Sequence, residues 1–132
     1  MASDRLSSLA AGVIPAGLIL PGGIEGRQRI VRISASQVCH IAERRPDWLI
    51  FCLTHTATVL GAPEYLGYRP DIDHRTVEML KRVGPERVLL LVAVKFLDDV
   101  SEAWVATAYR LSDRNLTRRL RNGTIQIVGG EP

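Results

Sequence analysis

The stretch Val88-Leu89-Leu90-Leu91-Val92-Ala93-Val94-Lys95-Phe96-Leu97 decides the fold. It is apolar almost throughout and rich in β-branched residues, so it reads as a well-buried strand. Residues 103–111 form the second strongest strand pattern. The segment Asp98-Asp99-Val100-Ser101-Glu102 between them is a turn, and the pair is an antiparallel hairpin. Alternation along the first strand puts Val88, Leu90, Val92, Val94 and Phe96 on one face. If Leu97 pairs with Ala103, then Lys95 faces Val105, Ala93 faces Thr107 and Leu91 faces Tyr109. Lys95, Thr107 and Tyr109 then share a face, while Trp104, Ala106 and Ala108 join the core face. A slip of one residue would split that set.

Outward from the hairpin, Ser112 or Asp113 caps a basic helix through Arg121, with Leu116 and Leu120 inward and Asn122-Gly123 at its end. Residues 124–128 alternate and add a last strand. On the N-terminal side, Gly84-Pro85 ends a short helix over residues 74–83, capped by Asp73. Residues 62–70 are a loop holding Pro63, Tyr65, Gly67, Tyr68 and Pro70. A buried helix is expected from Asp47 to Leu60, after Pro46. An earlier helix runs to Arg44, with Ser34 and Gln37 at capping-box spacing. A short strand over residues 29–33 precedes it. Residues 1–23, punctuated by Gly12, Pro15, Gly17, Pro21, Gly22 and Gly23, read as a leader or edge segment, and residues 17–20 as a short strand within it. Residues 24–132 form the main domain.

The chain of 132 residues is long enough for one domain. Its apolar fraction of 46% and charged fraction of 23% are those of a folded core, not a disordered tail. The net charge of +3 is mild, but fifteen Arg stand against two Lys. Arg grips phosphate through a planar fork, which Lys does not. A GC-rich coding sequence gives the same bias. Cys39 and Cys52 form no metal-ligand spacing and are read as buried, reduced thiols, consistent with a cytoplasmic setting. The apolar run over residues 9–20 is too short to span a membrane.

Candidate chemistry starts from Lys95. A lysine in so apolar a strand either guards an edge or holds an ammonium where a phosphate gains charge. His40, with Glu43 three residues on, is either a surface helix histidine or a proton-transfer group. His55 reads as structural and His74 as surface. Arg118, Arg119 and Arg121 are either a solvated helix face or clamps on an RNA backbone.

In order along the chain stand His40-Ile41-Ala42-Glu43-Arg44-Arg45-Pro46-Asp47-Trp48, Pro63-Glu64-Tyr65-Leu66-Gly67, Val88-Leu89-Leu90-Leu91-Val92-Ala93-Val94-Lys95, Tyr109-Arg110-Leu111 and Leu116-Thr117-Arg118-Arg119-Leu120-Arg121-Asn122-Gly123. This order resembles the phage-associated branch of the barnase–EndoU–colicin–RelE nuclease superfamily over roughly residues 29–123. The resemblance implies an α+β fold with N-terminal helices packed on an antiparallel sheet of about four strands. It implies a toxin-like endoribonuclease that needs neither metal nor cofactor and leaves a 2′,3′-cyclic end. RNA is the implied substrate, and a cognate immunity or antitoxin protein the implied partner. Carried onto this chain, His40 is the general base or acid and Lys95 the stabiliser of the phosphorane. Tyr109 and Thr107 are phosphate or relay groups, and Arg119 and Arg121 backbone clamps; Arg118 on the same helix and Tyr65 in the loop are further candidate RNA contacts. The chain departs from the pattern at Arg45-Pro46, where the family often shows His-Pro. A catalytically silent RNA-binding module and a protein-interaction domain are the competing readings.

Overall fold

A computed structural model describes residues 8–44, 46–97 and 102–129. Strand β1 (Ser8–Ile14) is followed by a 3-10 turn (Pro21–Gly23) and β2 (Arg29–Ser34). Helices α1 (Ala35–Arg44) and α2 (Pro46–Gly61) come next, then β3 (Tyr65–Tyr68), β4 (Thr76–Val83), β5 (Val88–Phe96) and β6 (Glu102–Arg110). Helix α3 (Asp113–Arg121) and β7 (Ile125–Ile127) complete the described chain. All strands form a single seven-stranded sheet in the order β1-β2-β6-β5-β4-β3-β7.

The α+β class matches the sequence reading, but the sheet does not. It has seven strands instead of about four, and it is mixed, because β2 runs parallel to β6 while the other neighbours are antiparallel. Three of the added strands come from segments read otherwise. Residues 8–14 pair with β2 as the sheet's edge. Residues 65–68, placed in a loop, pair with both β4 and β7. Residues 76–83, expected as helix, pair with β5 along their whole length. Asp73 does cap, but it opens a strand. Its carboxylate accepts from the Arg75 backbone N–H and the Thr76 hydroxyl, both at 2.9 Å. Residues 17–20 form no strand.

The two faces of the sheet bury separate cores. Ile41 from α1 and Cys52, Val59 and Leu60 from α2 pack on Val77, Met79, Leu90, Val92, Val94 and Phe96. Leu116 and Leu120 from α3 cover Leu80, Leu89, Leu91 and Ala93 on the opposite face. Central β5 is therefore apolar on both sides, as a strand between two helical layers must be. Gly12 lets β1 lie close under α2, since a Cβ there would stand 3.0 Å from the Ala57 Cα.

The helix caps follow the sequence. The Gln37 backbone N–H donates to Ser34 Oγ at 3.1 Å, and the Asn115 N–H to Ser112 Oγ at 3.2 Å. Only half of the first capping box forms, because the Gln37 side-chain oxygen is buried without a hydrogen-bond partner. Residues 98–101, where the hairpin turn was expected, and Arg45 lie outside the described residues.

Candidate functional site

The β5–β6 register places the candidate residues. Ala93 pairs with Thr107 and Leu91 with Tyr109, as expected, but Lys95 pairs with Trp104 and Phe96 with Ala103. The register shifts between Ala93 and Val94, where Ala106 is the extra residue on β6. The bulge moves Trp104 onto the face of Lys95, Thr107 and Tyr109, a correction to its expected core position. Ala106 likewise packs against the α3-side core, whereas Ala108 lies in the core under α1 and α2.

Strand β2 pairs with β6 only from Glu102 to Trp104. Beyond that point the chain of β2 turns into α1, and the flank of β6 has no strand beside it among the described residues. A hollow of about 300 Å³ opens there, lined by His40, Ile41, Arg44, Trp48, Thr107, Ala108, Tyr109 and Arg110. Three of the four candidate catalytic residues thus border one hollow, but from different sides: the register sets the side chains of Thr107 and Tyr109 on the α3-side face, opposite α1. His40 comes from α1 and is exposed, while Thr107 and Tyr109 come from β6. Burial pushes the Tyr109 phenol above its ordinary value, and the Glu78 carboxylate adds to the rise.

Lys95 does not line this hollow. It shares the face of Thr107, roughly 7 Å further along β5 than Ala93. Its ammonium lies 3.4 Å from Asp73 Oδ2. Arg119 is also misplaced by the sequence reading. Expected as a phosphate clamp, it is only 1% exposed. Its guanidinium pairs with Glu78 and donates to the Thr124 hydroxyl at 3.0 Å. Tyr65 sits half-buried in β3 against the α3-side core, not in an open loop. Arg118 and Arg121 are exposed, and with Arg114 they line a shallow surface on α3. Cys39 is exposed, contrary to expectation. Cys52 is buried, and burial pushes its thiol up to about 11.

No family model, curated protein or solved structure matches the chain. Among the described residues, no helix is long and apolar enough to cross a membrane, and no three His, Cys, Asp or Glu side chains gather as a metal site.

The sequence reading missed Arg44, Trp48 and Arg110 as members of the hollow. The first had a signal, since Arg44 follows His40 by four residues and shares its helix face. Trp48 was absorbed into an apolar run and read as core. Arg110 looked like a strand end. On the α1 side the lining residues carry an imidazole and two guanidiniums, the hydroxyl of Thr107 and the phenol of Tyr109 belong to the other face of β6, and no Asp or Glu is among the lining residues. Such a set holds an anion and moves protons beside it.

Proposed function

We propose that this chain is an endoribonuclease working without a metal ion, cutting RNA by attack of a ribose 2′-hydroxyl on the adjacent phosphate. One observation carries the reading: a single hollow at the flank of β6 that no described strand covers is lined by His40, Arg44 and Arg110 on the α1 side and bordered by Thr107 and Tyr109, whose side chains start on the α3 side. The 2′-oxygen bonds to phosphorus as the bond from phosphorus to O5′ breaks, giving a 2′,3′-cyclic phosphate and a free 5′-hydroxyl. His40 accepts the 2′-proton. Tyr109, a phenol and so protonated at neutral pH, donates a proton to the departing O5′ from the border of the hollow. Arg44 and Arg110 face the charge growing on the non-bridging oxygens, and Thr107 adds a hydroxyl donor. The exposed arginines of α3, which begins just after β6, hold the flanking backbone. Lys95 supports this set from a distance and does not contact the reacting phosphate.

The test is incubation of the purified chain with RNA in EDTA, scoring cleavage and the cyclic end. His40→Ala is expected to slow cutting by about a hundredfold or more. Lys95→Ala is expected to stay within a few-fold of wild type. No cleavage by wild type, or full activity in His40→Ala, overturns the proposal.

A second reading, RNA binding without chemistry, draws on the position of Lys95, whose ammonium is held by Asp73 outside the hollow. Salt-dependent RNA binding with no turnover would favour it. In a toxin role, the partner required is an inhibitor protein that covers the hollow.

A further inference from the structure

We propose that the outer face of α2 is a self-association surface, on which a second copy of this chain docks its own α2 antiparallel about a two-fold axis. The proposal stands apart from the RNA reading above, because Trp48, which lines the hollow, lies on the far side of the helix from Ile50.

The composition of the helix supplies the first argument. From Trp48 to Gly61, α2 carries no Asp, Glu, Lys or Arg. A helix apolar nearly all round is expected to be covered on every side. Here only one side is. Cys52, Thr56, Val59 and Leu60 are buried, whereas Ile50, Leu53, Thr54, Ala57 and Gly61 are exposed. Ile50 is 73% exposed and Leu53 39%. At about 100° per residue, Ile50, Thr54, Ala57 and Gly61 form one stripe along the helix, with Leu53 at its border. The other two helices show what a solvent face of this chain looks like. Helix α1 exposes His40, Glu43 and Arg44, and α3 exposes Arg114, Arg118 and Arg121.

Shape and charge name the occupant. A two-fold axis beside Leu53 and Thr54 sets Ile50 of each copy against Ala57 of the other. A large side chain then meets a small one twice, as a self-complementary interface requires. The same pairing brings the start of one α2 to the end of the other. Asp47 stands exposed in the first turn. At the far end, Lys81 Nζ donates to the Ala62 carbonyl at 3.0 Å, which holds its ammonium just beyond Gly61. Each Asp47 therefore comes to a Lys81 of the second copy, and the two helix dipoles oppose each other favourably. One chain supplies both charges at the spacing that its own antiparallel copy needs. At 16 residues the helix is about 24 Å long and about 10 Å wide, so the strip is well below the roughly 800 Å² per partner of a standard interface. The dimer is accordingly weak, with a dissociation constant on the order of 10–100 µM.

The experiment is sedimentation velocity of the full chain from about 5 µM to about 500 µM, a range that brackets the expected constant. The average mass is expected to rise from that of one chain towards that of two. Ile50→Glu, which puts a charge at both Ile50–Ala57 contacts, is expected to weaken the dimer by about tenfold or more. Asp47→Lys and Lys81→Glu, made singly, are each expected to weaken it by about three- to tenfold, since both ends then set like charges together. Made in one chain, the two changes exchange the charges and should bring the constant back to within about threefold of wild type. A melting curve of each variant checks that it folds. Should Ile50→Glu fail that check, the charge exchange decides. A chain that stays monomeric throughout overturns the proposal. So does a dimer that Ile50→Glu leaves intact, which would assign self-association to another surface, and so does a charge exchange that restores nothing.

Discussion

Arg119 heads the fully buried side chains by volume, and it is charged. Its partner Glu78 reaches it from the adjacent sheet face over Gly67, whose missing side chain makes the room. A Cβ at Gly67 would collide with the Glu78 carboxylate. The Arg119 Nη1 is buried with no hydrogen-bond partner, so the group already bears a desolvation cost. Removing one member of such a pair leaves a bare charge in a dry place. Arg119→Ala is expected to lower stability by about 3–5 kcal/mol in urea unfolding, while a double change of Arg119→Met with Glu78→Leu should recover most of it. Asp73 makes a different electrostatic contribution. The Arg75 backbone N–H, then the Thr76 hydroxyl and then the Lys95 ammonium hold its carboxyl below the ordinary 3.8. A depressed carboxyl stabilises fully above its unfolded value, and that contribution is lost as pH falls through its folded value. Melting temperatures followed from about pH 6 to about pH 2 should therefore show a steeper acid decline in wild type than in Asp73→Asn.

Among the elements, α3 has the most explicit local design. Ser112 caps it, Asp113 sits in its first turn, and Arg118, Arg119 and Arg121 occupy its last, all in keeping with the helix dipole. Ser112→Ala is expected to cost about 1 kcal/mol, read as a shift in the urea midpoint with an unchanged slope. This helix was legible because capping and stop signals are local. So were β5 and β6, whose apolar runs outlast any helix alternative. Strand β4 was not. Val77, Met79 and Val83 enter one core and Leu80 the other, so burial on both faces blurs the alternation that marks a strand. Pro63, Gly67 and Pro70 masked β3, and Gly12 and Pro15 masked β1, because strands this short take their stability from neighbours. The Ala106 bulge was invisible for the same reason: register belongs to two strands at once. The residues that line the candidate hollow lie on α1, α2 and β6, all three of them read as such in the sequence. Lys95 shares the face of Thr107 as expected but sits on β5, one strand away from the flank where the hollow opens, and Arg119 was drawn into the set by a helix face assumed to be wet.

At the scale of the molecule, the layers order the expected motions. Strands β4, β5 and β6 are covered by helices on one or both faces, while β1 and β7 have, among the described residues, a neighbour on one flank only. Amide exchange should be slowest in β5 and markedly faster in β1 and β7; uniform protection would contradict this layering. The β2–β6 contact joins residues 30–32 to residues 102–104, so the parallel seam closes only after most of the chain has been placed. The first and last strands of the described chain, β1 and β7, are also the two outermost strands. Six inter-strand spacings of about 4.8 Å set those borders roughly 29 Å apart. Trimming residues 8–14 or 125–127 would thus uncover β2 or β3 as a new rim and leave the central ladder paired.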